Sequence, residues 1–144
     1  MSKNKKEIII CGSMAFSKEM IEIKKKLEEE GFEVTLPRHT KEYAELEDTD
    51  QVHSEAAENK IAEDLIKDYF QQIKEHDAIL VVNEEKHGKE NYIGGNAFLE
   101  MGFAHVLGKE IYVLNGMPDV NYEDEIKAMQ PVFLKGDLGK IKNS

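Results

Sequence analysis

The chain predicts an α/β fold: a doubly wound, open and mostly parallel sheet in the flavodoxin-like order 2-1-3-4-5, with helices on both faces. Three observations carry this expectation. Apolar, β-branched runs at Glu7-Ile8-Ile9-Ile10-Cys11, Ala78-Ile79-Leu80-Val81-Val82-Asn83 and Glu110-Ile111-Tyr112-Val113-Leu114-Asn115 read as strands buried on both faces. Segments with helical apolar periodicity lie between strands, and Gly31 and Gly108 stand where helices would stop. Strands alternating with helices in this way pack as a parallel sheet joined by right-handed crossovers.

The first strand, from Glu7 to Cys11, is closed by Gly12-Ser13. Ser17 can cap a helix in which Met20, Ile23 and Leu27 recur at i, i+3 and i+7 among lysines and glutamates. Phe32-Glu33-Val34-Thr35-Leu36 alternates apolar and polar residues before Pro37, which predicts a second strand nearer the sheet edge. From Arg38 to Glu58 the chain is crowded with acids and holds few large apolar residues beyond Tyr43 and Leu46, predicting a mobile loop or lid. Ala57, Ile61, Leu65 or Ile66, Tyr69 or Phe70, and Ile73 then restore helical periodicity up to Glu75, ahead of the third strand. The stretch from Glu84 to Tyr92 is polar and holds Gly88. Asn96 to Leu107 reads as a helix, Glu110 to Asn115 as the fourth strand, and Gly116 and Pro118 end it. Tyr122 to Met129 can form a short helix, and Pro131-Val132-Phe133-Leu134 a last edge strand ahead of a polar tail.

A length of 144 residues with 40% hydrophobic composition supports one core, so residues 1–144 read as a single domain. The balance of 29 Asp+Glu against 19 Lys+Arg, a net charge of -10, argues against a protein that neutralises the backbone of a nucleic-acid polymer. A single small nucleotide is compatible with it. No stretch approaches the ~20 apolar residues of a membrane span, and the basic start runs straight into a short strand, so no membrane partner and a cytoplasmic location are expected. Cys11 is the only cysteine, which rules out an intrachain disulfide and suits an inert small hydrophobe at a buried strand end. His53, His76 and His105 show no HxxxH or HExxH spacing, and neither a metal nor another cofactor is expected.

In sheets of this kind, ligands bind outside the carboxyl ends of the strands where strand order reverses, here between the first and third. Gly12 and Ser13 after strand one, Asn83 after strand three, and the Gly94-Gly95-Asn96 turn into the following helix should therefore converge on a ligand. A Gly-Ser turn can hold a phosphate or a sugar hydroxyl close to the main chain, although the full G-x-G-x-x-G fingerprint is absent. The helix after Asn96 carries Glu100 among Phe98, Leu99, Met101 and Phe103. A carboxylate there costs at least ~2 kcal/mol to desolvate unless donors or a helix dipole meet it. Its plain alternative is the exposed side of an amphipathic helix. One turn into its helix, the acid would feel the positive end of the macrodipole, which favours the ionised form and leaves a usable nucleophile. Such a carboxylate could attack the anomeric carbon of a ribosyl unit, form a glycosyl ester and pass the sugar to water or to another base.

Ile10-Cys11-Gly12-Ser13, Asp77-Ala78-Ile79-Leu80-Val81-Val82 and Glu100-Met101-Gly102-Phe103-Ala104 together resemble the nucleoside 2-deoxyribosyltransferase family, which includes hydrolases of deoxynucleoside monophosphates. The resemblance runs through most of residues 7–115, and its most particular motif is the Glu-x-Gly-aromatic-Ala helix start. It implies that Glu100 is the nucleophile and that Gly12 and Ser13 contact a nucleoside or nucleotide. It also implies assembly into at least a homodimer. The apolar excess at Met101, Phe103, Ala104, Val106 and Leu107 is an independent hint of such an interface. Asp68 lies roughly where the hydrolases place a second acid and is a catalytic candidate, its alternative being a solvated helix face. The chain departs from the pattern at Gly94, where transferases carry an aspartate for the sugar hydroxyl and monophosphate hydrolases a serine for phosphate. It departs again at Ile9, where the latter have a tyrosine. A proton for the departing base could come from His39 or His87, both in loops. Asp77, at the start of its strand and away from the site, reads as a turn or capping residue.

The leading functional expectation is an N-ribosyl or deoxyribosyl hydrolase or transferase. The alternative is a binding module that senses a nucleotide or nucleotide sugar without turnover. A phospho-receiver domain would need adjacent acids after strand one, and a flavodoxin a hydroxyl-rich loop; Cys11-Gly12-Ser13-Met14-Ala15-Phe16 supplies neither.

Overall fold

Alternation along the buried strands sorts the apolar side chains into two cores, one on each face of the sheet. The computed structural model, which describes residues 5–38, 40–45 and 65–142, has the order β1 (Glu7–Cys11), α1 (Ser17–Glu29), β2 (Glu33–Thr35), α2 (Thr40–Ala44), α3 (Leu65–Lys74), β3 (Ala78–Val81), α4 (Gly95–Val106), β4 (Glu110–Val113), α5 (Glu123–Ala128) and β5 (Val132–Phe133). The five strands pair in parallel in the order β2-β1-β3-β4-β5, the flavodoxin-like arrangement expected from the sequence. Ile8, Ile10, Ala78 and Leu80 turn to the face covered by Met20, Ile23 and Leu27 of α1. Ile9, Cys11, Ile79 and Val81 turn to the other, covered by Ile73 of α3, Ala97, Met101 and Ala104 of α4, and Ile126 of α5. Each fully buried isoleucine of the Ile8–Ile10 run is worth about 1.5–3 kcal/mol, which makes β1 the anchor of the sheet.

Register sets the site. Cys11 of β1 stands opposite Val81 of β3, and the Val82 N–H donates to the Cys11 carbonyl at 2.8 Å, so the two strands end level. With β2 on one side of β1 and β3 on the other, the chain leaves these two ends toward opposite faces, which makes them the point where strand order reverses. The opposite edge of the sheet is closed by polar contacts. Asp77 Oδ2 accepts the Glu7 N–H at 2.8 Å, and His76 bridges Thr35 Oγ1 (2.7 Å) and the Gln72 carbonyl (2.6 Å). Buried Lys6 donates to Glu110 Oε1 at 2.7 Å, and Tyr112 donates to the same oxygen at 2.6 Å.

Two expectations need correction. The start of the acid-rich stretch is helical: α2 packs on α1 because Tyr43 and Thr40 are buried, and Thr40 Oγ1 donates to the Pro37 carbonyl at 2.5 Å. The remainder of the expected lid, with His39, His53 and the first turns of the helix expected from Ala57, lies outside the described residues. The polar tail is not wholly polar in effect. Leu134 and Ile141 are buried and Leu138 packs beside them, closing the α1-side core through a 3-10 turn at Leu138–Lys140. Among the described residues no helix is long and apolar enough to cross a membrane.

Candidate functional site

Gly12 closes β1 with φ 147°, a conformation that side chains rarely adopt, and a Cβ there would lie 2.8 Å from the Val82 carbonyl oxygen. The position is therefore restricted to glycine by backbone conformation and by the neighbouring strand end. Ser13 caps the 3-10 turn at Met14–Phe16, its Oγ accepting the Ala15 N–H at 3.2 Å. That same Oγ accepts from Lys86 Nζ at 3.0 Å. Lys86 is only 5% exposed, and its ammonium lies 5.0 Å from the centroid of the Tyr92 ring, within cation–π range. The Glu84–Ile93 loop thus reaches back over the Gly-Ser turn.

Asn83 fastens that loop. Its side chain is fully buried; Nδ2 donates to the Gly116 carbonyl at 2.9 Å and, at a longer 3.4 Å, to the Asn91 carbonyl, while Oδ1 accepts the Asn115 N–H at 2.9 Å. Asn115 Nδ2 donates back to the Asn83 carbonyl at 3.0 Å. An amide engaged in this way has no surface to offer a ligand, so the expected substrate-contacting role is corrected to one of positioning the loops after β3 and β4. Asn91, with φ 57°, and His87, with φ 55°, take the left-handed conformation that the turns of this loop require. His87 is exposed beside Gly88 at the tip of a tight turn closed by Lys86 and Lys89.

α4 begins at Gly95, with Gly94 as N-cap and no side chain capping its first turn. Gly95 and Asn96 are exposed. Gly94 differs. A Cβ there would come within 2.8 Å of the Tyr92 hydroxyl oxygen, so the space beside the backbone is already taken by the Tyr92 side chain. Tyr122 buttresses the segment from the α5 side: its hydroxyl donates to the Ile93 carbonyl at 2.5 Å, and its ring packs on Phe98 at 4.5 Å. Burial and the nearby Tyr92 hydroxyl both push the Tyr122 phenol above its ordinary pKa.

Glu100 is 5% exposed and shares the inward side of α4 with Ala97, Met101 and Ala104. The reading of this acid as an ordinary exposed polar face is thereby removed. Near it stands Tyr69 of α3, buried, whose hydroxyl donates to the Ile10 carbonyl at the end of β1. The Tyr69 phenol is pushed well up by burial first, then by Cys11, Glu100 and Asp68, so it stays protonated and holds α3 against the strand end. Asp68, one residue earlier, points elsewhere: its carboxylate pairs with Arg38 at 3.2 Å and its side chain is 33% exposed. The structure therefore gives Asp68 a partner on the segment after β2.

Gly12 and Ser13 are linked through Lys86 and Tyr92 to the loop that ends at Gly94, and Glu100 stands near Tyr69 at the end of β1; these three linking residues were not singled out by sequence reasoning. Lys86 sat in a polar loop, where a lysine reads as solvated. Tyr92 carried a weak signal, as an aromatic residue just before a glycine pair. Tyr69 carried none, because its spacing is that of a core residue. A groove of about 390 Å³ lies on the other face of the sheet, between α1 (Ile23, Lys26) and Glu84, Leu114, Asn115 and Leu138. Among the described residues no three His, Cys, Asp or Glu side chains gather to hold a metal ion. No protein-family model matches the chain, and no curated protein matches it significantly.

Proposed function

We propose that the protein cleaves the N-glycosidic bond of a nucleoside or nucleoside monophosphate, as a hydrolase or a transferase, with Glu100 as nucleophile. The observation that carries this reading is the burial of one carboxylate on α4, close to Tyr69 at the end of β1, the strand that the Gly12-Ser13 turn closes. A carboxylate taken out of water is a stronger nucleophile than a solvated one, because no hydration shell has to be stripped before attack. A Glu100 oxygen attacks the anomeric carbon, and the bond to the base nitrogen breaks with its electron pair leaving on the base. The base takes up a proton, and water or a second base then displaces Glu100 and restores the free carboxylate. Tyr69 keeps its proton on the Ile10 carbonyl, near enough to the acid to feel its charge. The resemblance to the nucleoside 2-deoxyribosyltransferase family implies the same role for Glu100 and ligand contact for Gly12 and Ser13.

The same reading includes a homodimer. Ile66, Leu99 and Val106 are 41%, 41% and 82% exposed, and between them Phe70 and Phe103 pair edge-to-face at 5.2 Å. An apolar strip shared by α3 and α4 suits a second copy of the chain. Met101 and Ala104, which counted toward this excess, belong instead to the core.

Chromatography of a nucleoside and nucleotide panel incubated with the protein tests the activity. Free base is expected with the wild type and not with Glu100→Ala, which should still bind the substrate. Ligand binding by the wild type without base release would make the protein a sensor and overturn the proposal.

A further inference from the structure

The groove of about 390 Å³ on the α1 side of the sheet, opposite the face covered by α4, is within the size range of small-molecule sites. Its floor is apolar: Ile23 of α1, Leu114 after β4 and Leu138 of the 3-10 turn belong to the core on that face or pack against it. Its α1 wall is electrically balanced. Lys18 and Lys26 stand one helical turn on either side of Glu22, Glu19 adds a second acid, and all four are exposed. The facing wall has no such balance. Glu84 is half-buried there, and no described Lys, Arg or His forms an ion pair with it; its one described side-chain contact is a 3.5 Å approach from Asn115 Nδ2, at the outer limit of a hydrogen bond. Asn115 Oδ1 receives no hydrogen bond from a described residue, while Nδ2 of the same amide is held by the Asn83 carbonyl at 3.0 Å.

A carboxylate drawn partly out of water is costly until a cation meets it. A divalent metal ion prefers roughly six or more oxygen ligands, which one carboxylate and one amide oxygen do not supply. A guanidinium fits better, because its planar fork offers paired donors to a carboxylate and its weak hydration lets it lie on an apolar floor. We propose that the groove binds a small free molecule carrying one guanidinium on a short hydrocarbon body, with the guanidinium on Glu84 and Asn115 and the body over Ile23, Leu114 and Leu138. Both acceptors are presented from a fixed backbone: the Glu84 carbonyl accepts the Tyr92 N–H at 2.9 Å, and the Asn115 N–H donates to Asn83 Oδ1 at 2.9 Å. Little ordering is therefore needed when a ligand arrives. The proposal does not depend on the glycosidic-cleavage reading, whose nucleophile lies on α4 across the sheet.

The test is a titration of the isotope-labelled full chain with n-butylguanidinium chloride, followed by amide chemical shifts. The shifts should saturate with a dissociation constant of ~1 mM or tighter and centre on residues 84, 114–115 and 136–138. n-Butylurea, which has the same shape and no charge, should bind at least ten-fold more weakly, and so should guanidinium chloride, which lacks the hydrocarbon body. Glu84→Gln should weaken n-butylguanidinium at least five-fold, and Glu84→Lys, which brings its own cation, should abolish binding. Thermal melts identify any variant that fails to fold, and the n-butylurea comparison on the wild type then decides. No saturable binding of n-butylguanidinium, equal binding of n-butylurea, shifts centred elsewhere, or a folded Glu84→Gln variant that binds as the wild type does overturns the proposal. Binding of a blocked arginine peptide without binding of n-butylguanidinium would make the groove a protein-docking surface and overturns it as well.

Discussion

Replacing Asn83 by alanine should loosen the site from behind without touching any residue at its rim. The substitution leaves the Gly116 carbonyl and the Asn115 N–H, both held at 2.9 Å by a fully buried side chain, without their partners. Each orphaned group would cost about 1–3 kcal/mol if fully buried; both lie in half-buried contacts, which keeps the pair below the full sum, at about 2–5 kcal/mol, and the 3.4 Å contact to Asn91 adds little. At roughly 3 °C per kcal/mol for a chain of this size, the melting temperature should fall by ~6–15 °C. The loss should be local as well as global, because Asn83 ties together the segments after β3 and β4. Hydrogen exchange followed by mass spectrometry should show faster exchange across residues 84–93, with β1 amides protected as in the wild type below the onset of melting. Asn83→Asp is the sharper control: it keeps an acceptor for Asn115 but sets an oxygen against the Gly116 carbonyl, and should be at least as damaging. A melting temperature within about 2 °C of wild type for either variant, or unchanged exchange in the loop, would refute the positioning role.

Gly12→Ala should cost about 2–4 kcal/mol in urea unfolding and abolish ligand binding, because it combines a strained φ with a Cβ 2.8 Å from the Val82 carbonyl oxygen; a cost below about 1 kcal/mol counts against the tight turn. At the far edge of the sheet, burial pushes the Glu110 carboxyl up, but hydrogen bonds from Lys6 and Tyr112 outweigh it and hold it below its ordinary value of 4.5. Its contribution is therefore present above about pH 4.5 and lost as pH falls through the lowered folded value. Glu110→Gln should melt slightly lower than wild type at pH 7, by less than about 1 kcal/mol since the side chain is half exposed, with the difference vanishing near pH 3; a gap unchanged at low pH contradicts this. In sedimentation the wild type should be a dimer at ~10 μM and a Leu99→Glu, Val106→Glu double variant a monomer, in view of their exposure on α4. A wild-type monomer at tenfold higher concentration defeats the interface.

The sheet order could be read from the sequence because β1, β3 and β4 are nearly continuous apolar runs, a pattern that only strands covered on both faces need. The helix at Thr40–Ala44 was hidden because one aromatic anchor, Tyr43, decides it within a charged segment whose local pattern favours a loop. Leu134, Leu138 and Ile141 were hidden because three apolar residues spread over eight positions carry no periodic signal until the sheet face they cover is known. At the site, the burial of Glu100 was foreshadowed by its apolar neighbours. The true work of Asn83 was not, since a polar residue after a strand looks alike whether it faces a ligand or staples two loops. Lys86 is the extreme case: its burial depends on a loop fold set by Asn83 and Asn115, which are three and 29 positions away.

The most direct measurement is peptide mapping of the wild-type protein quenched in acid during turnover of a substrate that releases base. The account predicts a peptide containing Glu100 that carries one sugar unit as an ester, lost in Glu100→Gln and released when water or an acceptor base is allowed to react. Turnover with no sugar on that peptide under any quench, or with the Glu100→Gln variant as active as the wild type, would contradict it.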